Sequence, residues 1–530
     1  MRYRLDPHSM LPYSSQLESA HLPTTLRILR CLRWYFIISP RSAEDSLADS
    51  DVPTLYIKAK TTANNGLQAI TCCSAFRGAQ KAMWPHSLFF VKLSLLLSFV
   101  SHVVATDSTT DSTTDSNIDP GTNNHGYVTY GNISSLDMAW SMLSRQQGIL
   151  ISNDTFQLLQ TGFAQKTFQK LVRQYPDDRY RGTFQTYIPV LINSAVYTVG
   201  DVDRVIPYPL DRFAVGNGML NQFSATQDEK YRYAFESLAQ SIPAQPRNDE
   251  SGLWYWTAQP NLSYLDGMYS FAPFYVPYAV LHDPDNTTTI IADIAKQFDI
   301  LWEHCYNNKT GLLVHGFDAS KKASWADPKT GASPHVLARS VGYYTMALID
   351  TLELITANSG NMPPEALAPW TSMQKKVKLI GDALVKNAVP SGGWYHVIDE
   401  PNKQGNFIES SATGMLVYSL FKGNRLGYFN DGASPTAKLN NLNASTYTDV
   451  ANKAYLYLNT TYITANANNQ TFEIAGTAST YSLDSAASYE YYVSRNAVYN
   501  SPIGGSAYIL ASLEYERFHN VTSVEPWAPL

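Results

Sequence analysis

The sequence predicts an all-α fold, an α/α toroid, on three observations. From about Asn132 onward, apolar residues recur at spacings of three and four, the period of one helix face. The helices come in pairs, the first member nearly apolar and rich in Gly, Ala and Ser, the second amphipathic and charged. The pairs recur at irregular intervals of roughly 55 to 90 residues, too loose for a short-repeat solenoid. A helix apolar all round is buried on most sides, whereas an amphipathic one faces water. A ring of inner helices wrapped by outer ones satisfies both patterns.

The elements follow in order. LDMAWSMLSRQQ (136–147) and FAQKTFQKLVRQY (163–175) open the helical region. LDRFAVGNGMLNQF (210–223) is then paired with DEKYRYAFESLAQSI (228–242), and LDGMYSFAPFYVPYAVL (265–281) with IIADIAKQFDILWEHCY (290–306). VGYYTMALIDTLELI (341–355) precedes TSMQKKVKLIGDALVKNAV (371–389), and SSATGMLVYSLFKG (410–423) precedes YTDVANKAYLYLNTTYI (447–463). GGSAYILASLEYERF (504–518) closes the series. Small residues in the inner helices permit close approach, and long polar loops at 307–334 and 392–406 are expected to rim one end.

The start of the chain reads differently. Residues 87–105, SLFFVKLSLLLSFVSHVVA, form a short apolar run ending in a small-residue cleavage pattern, with Met83 upstream. Residues 83–105 are expected to be a secretory signal peptide and 1–82 a gene-model extension or disordered segment. Residues 106–125 are expected to be a flexible Ser/Thr/Asp-rich leader, and 126–530 the toroid. The alternative is a type II membrane anchor, with Met1 the true start. The run is interrupted by Lys92 and short against the ~20 apolar residues a span needs. Asn-X-Ser/Thr sequons at Asn132, Asn153, Asn261, Asn286, Asn308, Asn443, Asn459, Asn469 and Asn520 all lie beyond it, which fits a secreted, N-glycosylated protein. Of Cys31, Cys72, Cys73 and Cys305, only Cys305 would remain after cleavage, so no intramolecular disulfide is expected. Cys305 reads as a buried small apolar residue.

Among 530 residues the formal net charge is −6, and no basic stripe stands out, which argues against nucleic acid. HExxH, GxSxG, a Walker loop and a GxGxxG opening a βαβ unit are all missing. Two aspartates open inner helices in matching places: Asp211 in PLDRFAVGNG and Asp266 in SYLDGMYSFAPF. Helix capping is the plain reading of such an Asp. In a toroid, however, inner-helix starts converge on one mouth, so both carboxylates could face a common cleft. A general acid there needs a raised pKa, from burial or from the second carboxylate. The loop GLLVHGFDASKKASWADPKTGASPHVLARSVGYY adds His315, Asp318, Trp325, His335 and Arg339. Arg339 reads either as a salt bridge at a helix start or as a clamp on a substrate carboxylate. GGWYHVIDEPNKQGNFIES adds Trp394, Tyr395, His396, Asp399 and Glu409, where Gly-Gly-Trp-Tyr reads equally as a sugar-stacking platform or as loop packing.

These segments, together and in order from about 130 to about 518, resemble glycoside hydrolase family 105, the unsaturated rhamnogalacturonyl hydrolases, of the secreted fungal type. YLDGMYSFAPF resembles the catalytic-aspartate segment, LDRFAVGNGML the earlier aspartate segment, GLLVHGFD the histidine segment and SPHVLARSVGYYTMAL the arginine segment. The resemblance implies a six-hairpin (α/α)6 toroid. Asp266 would be acid and base, with Asp211 beside it. His315 and Arg339 would orient the uronate end, and Trp325, Tyr343 and Trp394 would contact sugar. It implies no metal and no cofactor, a small oligosaccharide substrate with an unsaturated uronate end, and no protein partner. The implied reaction hydrates the C4=C5 double bond of that uronate instead of using two carboxylates around an oxocarbenium ion.

The chain departs from the family where Leu337 replaces a tryptophan, where Val341-Gly342-Tyr343 replaces Asn-Gly-Trp, and where Trp254-Tyr255-Trp256 replaces a His-Lys pair. These changes touch the sugar-contacting wall. The rival readings are an unsaturated glucuronyl hydrolase acting on other lyase products, a conventional toroid glycosidase, and a carbohydrate-binding toroid without catalysis. A conventional enzyme would resemble chains with an adjacent Asp-Asp pair, and none stands in these segments.

Overall fold

The computed structural model describes residues 134–521, apart from 153, 436–444, 467–468 and 470. The expected N-terminal extension, signal peptide and leader lie outside the described residues.

Among the described residues, twelve helices of ten residues or more alternate between an outer and an inner layer. The outer ones are α1 (Ser135–Ser144), α3 (Arg181–Val199), α5 (Glu229–Gln240), α7 (Thr287–Cys305), α9 (Trp370–Asn387) and α11 (Thr446–Tyr462). The inner ones are α2 (Gln157–Gln174), α4 (Gly216–Thr226), α6 (Gly267–His282), α8 (Ala338–Asn358), α10 (Ser410–Arg425) and α12 (Pro502–Phe518). A 3₁₀ segment, Leu210–Val215, extends α4 at its start. Each inner helix packs on the next inner helix, and α12 returns to pack on α2. The fold is therefore an (α/α)6 toroid of six hairpins. Because each inner helix is followed by an outer one running back, all six inner helices start at the same mouth.

Sequence explains the layering. Nearly every side chain of α6 and α8 is buried, as the uniform apolarity of α6 requires, and α8 buries the charged Arg339, Asp350 and Glu353 as well. In α5 and α7 one face is buried and the opposite one carries the charges. Helix α2 breaks the pattern: it is an inner helix, yet it carries Lys166 and Lys170. Lys166 is accommodated because it pairs with Asp350 of α8 inside the ring. Close approach depends on glycine. A Cβ on Gly162 would lie 2.3 Å from the Ala214 carbonyl, and one on Gly414 would lie 2.9 Å from the Ala507 backbone. Pro273 and Pro277 stand inside α6. Pro277 cannot donate to the Pro273 carbonyl, so Asn217 Nδ2 of α4 supplies that bond at 3.1 Å.

The ring closes chemically as well as by packing. Glu516 of α12 accepts from the Ser135 amide at 2.7 Å, the Ser135 hydroxyl at 2.8 Å and the Tyr175 hydroxyl at 2.5 Å. The helix start at α1 is further fixed by a capping box between Ser134 and Asp137. Cys305 is fully buried, as its helical context predicted. Asn286, Asn308, Asn469 and Asn520 are exposed. Asn459 is not an available sequon: it is buried, and its amide donates to the Tyr508 hydroxyl at 2.6 Å.

Candidate active site

The two aspartates are not helix caps. Asp266 occupies the N-cap place of α6, but its side chain makes no capping bond. Asp211 lies inside the 3₁₀ segment, and its Oδ2 accepts from the Tyr255 hydroxyl at 2.8 Å. Both converge on the mouth where the inner helices begin. Asp211 is 2% exposed, whereas the Asp266 side chain keeps 15%, so Asp266 is the carboxylate a ligand reaches.

Burial pushes the Asp211 carboxyl up to about 7, against the Tyr255 bond and with help from the Asp266 charge. Burial likewise pushes Asp266 up to about 6, opposed by the nearby Ser340 hydroxyl and Arg339 charge. The Ser340 hydroxyl itself makes no hydrogen bond of normal geometry. Asp266 Oδ2 is also unpartnered, as are Asp211 Oδ1 and the Tyr343 hydroxyl. Buried polar atoms ordinarily have partners, so a group of orphans around two carboxyls marks a place for ligand or water.

The antiparallel strands Leu262–Tyr264 and Gly316–Asp318 bring His315 to Asp266. The Leu265 amide donates to the His315 carbonyl at 3.1 Å, which fixes the two segments just before Asp266. His315 Nε2 stands 3.7 Å from Asp266 Oδ2, and its Nδ1 meets the Tyr492 hydroxyl at 3.2 Å. Burial, then the Arg339 charge, lowers the imidazole to about 3, so it is neutral at ordinary pH. Tyr264 packs edge-on against it, and Tyr255 stacks on Tyr264 at 4.3 Å.

Arg339 opens α8 beside Asp266. Its Nη1 and Nη2 donate to the carbonyls of Ala478 and Ser479 at 2.7 and 2.9 Å, and Nε donates to the Tyr481 hydroxyl at 3.3 Å. The guanidinium also lies 4.6 Å from the Tyr481 ring centroid. It is therefore a fixed charge held by the segment before α12, and not a free fork. That segment roofs the site. Leu483 donates its amide to the Tyr264 hydroxyl, and its carbonyl accepts from Trp325 Nε1.

Of the residues the sequence singled out, Asp211, Asp266, His315, Arg339 and Tyr343 come together, with Trp325 at the roof. Trp394 does not join them. It is fully buried and its Nε1 donates to the Leu384 carbonyl at 2.9 Å, so the expected stacking platform is loop packing. Tyr255, Tyr481, Tyr492 and His396 belong to the neighbourhood without having been assigned roles from sequence. His396 is fully buried, packs on Tyr481 and leaves both ring nitrogens without a partner. A separate trio, His335, Asp399 and Glu400, has ligand atoms within 4.8 Å of one another. Its bonds tie loops together: Asp399 accepts from the Val336 amide and meets His335, while Glu400 pairs with Lys403.

With this geometry in hand, comparison with known proteins is decisive. The family model described as Glycosyl Hydrolase Family 88 matches residues 159–519. The chain belongs to that family. The resemblance to glycoside hydrolase family 105 also holds. A family 105 glycoside hydrolase from C. acetobutylicum superposes with a TM-score of 0.61 and 28% identity, over 72% of this chain and 99% of that one. A possible family 105 member from Klebsiella pneumoniae gives 0.54 and 19%, over 68% and 82%, a likeness of fold alone. Among curated proteins, Protein Atu3128 of Agrobacterium fabrum is 32% identical over 117 residues, 22% of this chain. The chain spans about half the length of the curated relatives it matches, 46%.

Proposed function

We propose that this family member is a hydrolase that removes a terminal 4,5-unsaturated uronic acid from rhamnogalacturonan oligosaccharides. One observation carries the reading. Asp266 presents an unpartnered oxygen at a buried mouth, with its carboxyl raised to about 6, beside a neutral His315. Such a group can hold a proton at mildly acidic pH and take one back.

In this mechanism Asp266 gives its proton to C4 while a water attacks C5 and returns a proton to Asp266. The adduct is a hemiketal at C5. Its ring C–O bond breaks to leave a ketone at C5 and a hemiacetal at C1. The hemiacetal expels the neighbouring sugar and becomes an aldehyde, so one water is consumed overall. Asp211, polarised by Tyr255, holds the water or a sugar hydroxyl. Arg339 supplies a fixed positive charge beside the uronate carboxylate, and His315 Nε2 orients the same end. Burial strengthens each of these electrostatic contacts relative to water. Carbohydrate outside the cell as substrate fits the apolar run at 87–105 and the exposed sequons.

The test is ultraviolet absorbance of rhamnogalacturonan-lyase products mixed with the protein. The conjugated C4=C5 bond absorbs, and hydration removes that absorbance. A fall with release of rhamnose is expected. A fall only with unsaturated glucuronides would move the substrate to other polysaccharides, and no fall with any would overturn the hydrolase reading.

A further inference from the structure

The channel inside the ring has a second chamber, on the far side of the two aspartates. An aromatic layer separates the two. Tyr269 packs on Phe163 and Tyr343 with ring centroids at 5.1 and 5.3 Å. Tyr343 faces the charges of Asp266 and Asp211, and Tyr269 that of Asp350. Beyond Tyr269 lies a cavity with about 100 Å³ of water-accessible space, walled by α2, α4, α6 and α8. One water needs only about 10–15 Å³ by that measure, so the chamber has room for something larger.

Its charges do not cancel. Lys166 and Lys422 both pair with Asp350, Lys422 also reaches Glu353 at 2.5 Å, and Arg425 pairs with Glu514 at 2.9 Å. Lys170 and Arg173, which line the cavity from α2, ion-pair with no acid among the described residues. Burial, then the Lys422 charge, lowers the Lys170 ammonium to about 7, against the pull of Glu353 and Asp350. The C-terminal halves of the inner helices meet here, and their dipoles favour cations. That accounts for positive charge but not for a second feature. Gln165 Oε1, Asn221 Oδ1 and Ser270 Oγ also line the chamber and have no hydrogen-bond partner. Gln165 and Ser270 are 1% and 2% exposed, so their orphaned atoms are costly unless a guest satisfies them.

Unpaired cations call for an anion, and orphaned amide oxygens call for O–H donors. Inorganic phosphate answers the first need and a neutral sugar the second. We propose that the rear chamber binds a small hydroxylated carboxylic acid, a sugar acid, with its carboxylate on Lys170 and Arg173 and its hydroxyls on Gln165 and Asn221. The site is separate from the aspartate mouth and does not depend on the reaction assigned to it.

Calorimetric titration of the whole protein with galacturonate, galactose and inorganic phosphate tests this. Saturable galacturonate binding is expected, kept in Asp266→Asn and weakened roughly tenfold or more, about 1.4 kcal/mol, by Lys170→Gln and by Arg173→Gln. Galactose, which lacks the carboxylate, should bind at least as much more weakly. Arg173 is exposed, so its variant tests the site even if Lys170→Gln fails to fold. Phosphate binding as tight as galacturonate would overturn the sugar-acid assignment. No saturable galacturonate binding, or unchanged affinity in folded Lys170→Gln and Arg173→Gln proteins, would overturn the site itself. Binding is read without turnover, so failure here is distinct from failure of the hydrolase reading.

Discussion

At the scale of single residues, Asp266 and Asp211 are both pushed toward neutrality but differ in access. Asp266, the more open, should be indispensable to turnover. Asp266→Asn should lower kcat by about 10²–10⁴-fold, the usual worth of a general acid–base group, while circular dichroism and melting stay near wild type. Residual activity within a few-fold of wild type would remove Asp266 from the mechanism. The acid form must be present, so wild-type activity should decline as pH rises past about 6. Asp211 makes a stability prediction of definite sign. Its folded carboxyl, at about 7 against a reference of 3.8, binds a proton more tightly than the unfolded chain does. The stabilisation is complete below about pH 4 and is lost as pH rises through 7. Asp211→Asn cannot ionise, so it should match wild type at pH 4 and melt higher at pH 8. The gap should be on the order of 1–3 kcal/mol, and a variant less stable than wild type at pH 8 would contradict the buried charge. The sequence made these two aspartates legible because each stands at the start of an apolar helix in a distinctive segment. Tyr255 stood out only within the Trp254-Tyr255-Trp256 departure, without a role, and Tyr481 and Tyr492 carried no signal, because they reach the site from a segment far along the chain from both aspartates. Trp394 misled because Gly-Gly-Trp reads alike whether the indole faces a sugar or a core.

At the scale of helices, apolarity sorted inner from outer elements in the chain's middle and end. It left α2 unsorted, and there Lys166 and Lys170 enter the ring. What lets α2 take an inner place is visible at Gly162. Its neighbour across the interface is the Ala214 backbone, which cannot rotate aside as a side chain would. Gly162→Ala should therefore force α2 away from the segment that carries Asp211. The helix propensity gain of Ala, about 1 kcal/mol, opposes an overpacking cost of about 1–3 kcal/mol. A net loss in chemical denaturation is expected, together with reduced turnover. Gly182, which has open space around it, is the control: there Ala should be neutral or stabilising. Equal effects at the two sites would mean that the close approach is not what selects glycine.

At the scale of the whole molecule, the toroid is held shut at a seam between its first and last helices. Residues 381 positions apart meet there, so loop closure must be achieved before the contact contributes anything. One side chain makes several of the seam's polar contacts. Glu516 satisfies the Ser135 amide, which stands at the open start of α1, and the hydroxyls of Ser135 and Tyr175. Both donor residues, Ser135 and Tyr175, are buried, so no water replaces the carboxylate easily when it is removed. Glu516→Ala should cost about 1–3 kcal/mol for each donor left unsatisfied, less whatever a water entering the vacated space recovers. The exposed Glu229, paired with Arg232 at the surface, is the comparison, and its Ala variant should change stability by no more than about 0.5 kcal/mol. Hydrogen exchange locates the effect. In Glu516→Ala, amides of α1 should lose protection first, because α1 packs on α12, on the short strand Thr471–Ile474 and on little else. Protection in α6 and α8, which present Asp266 and Arg339, should fall only with global unfolding. If α1 kept its wild-type protection while the ring as a whole was destabilised, Glu516 would be a core residue like any other, and closure would rest on packing alone.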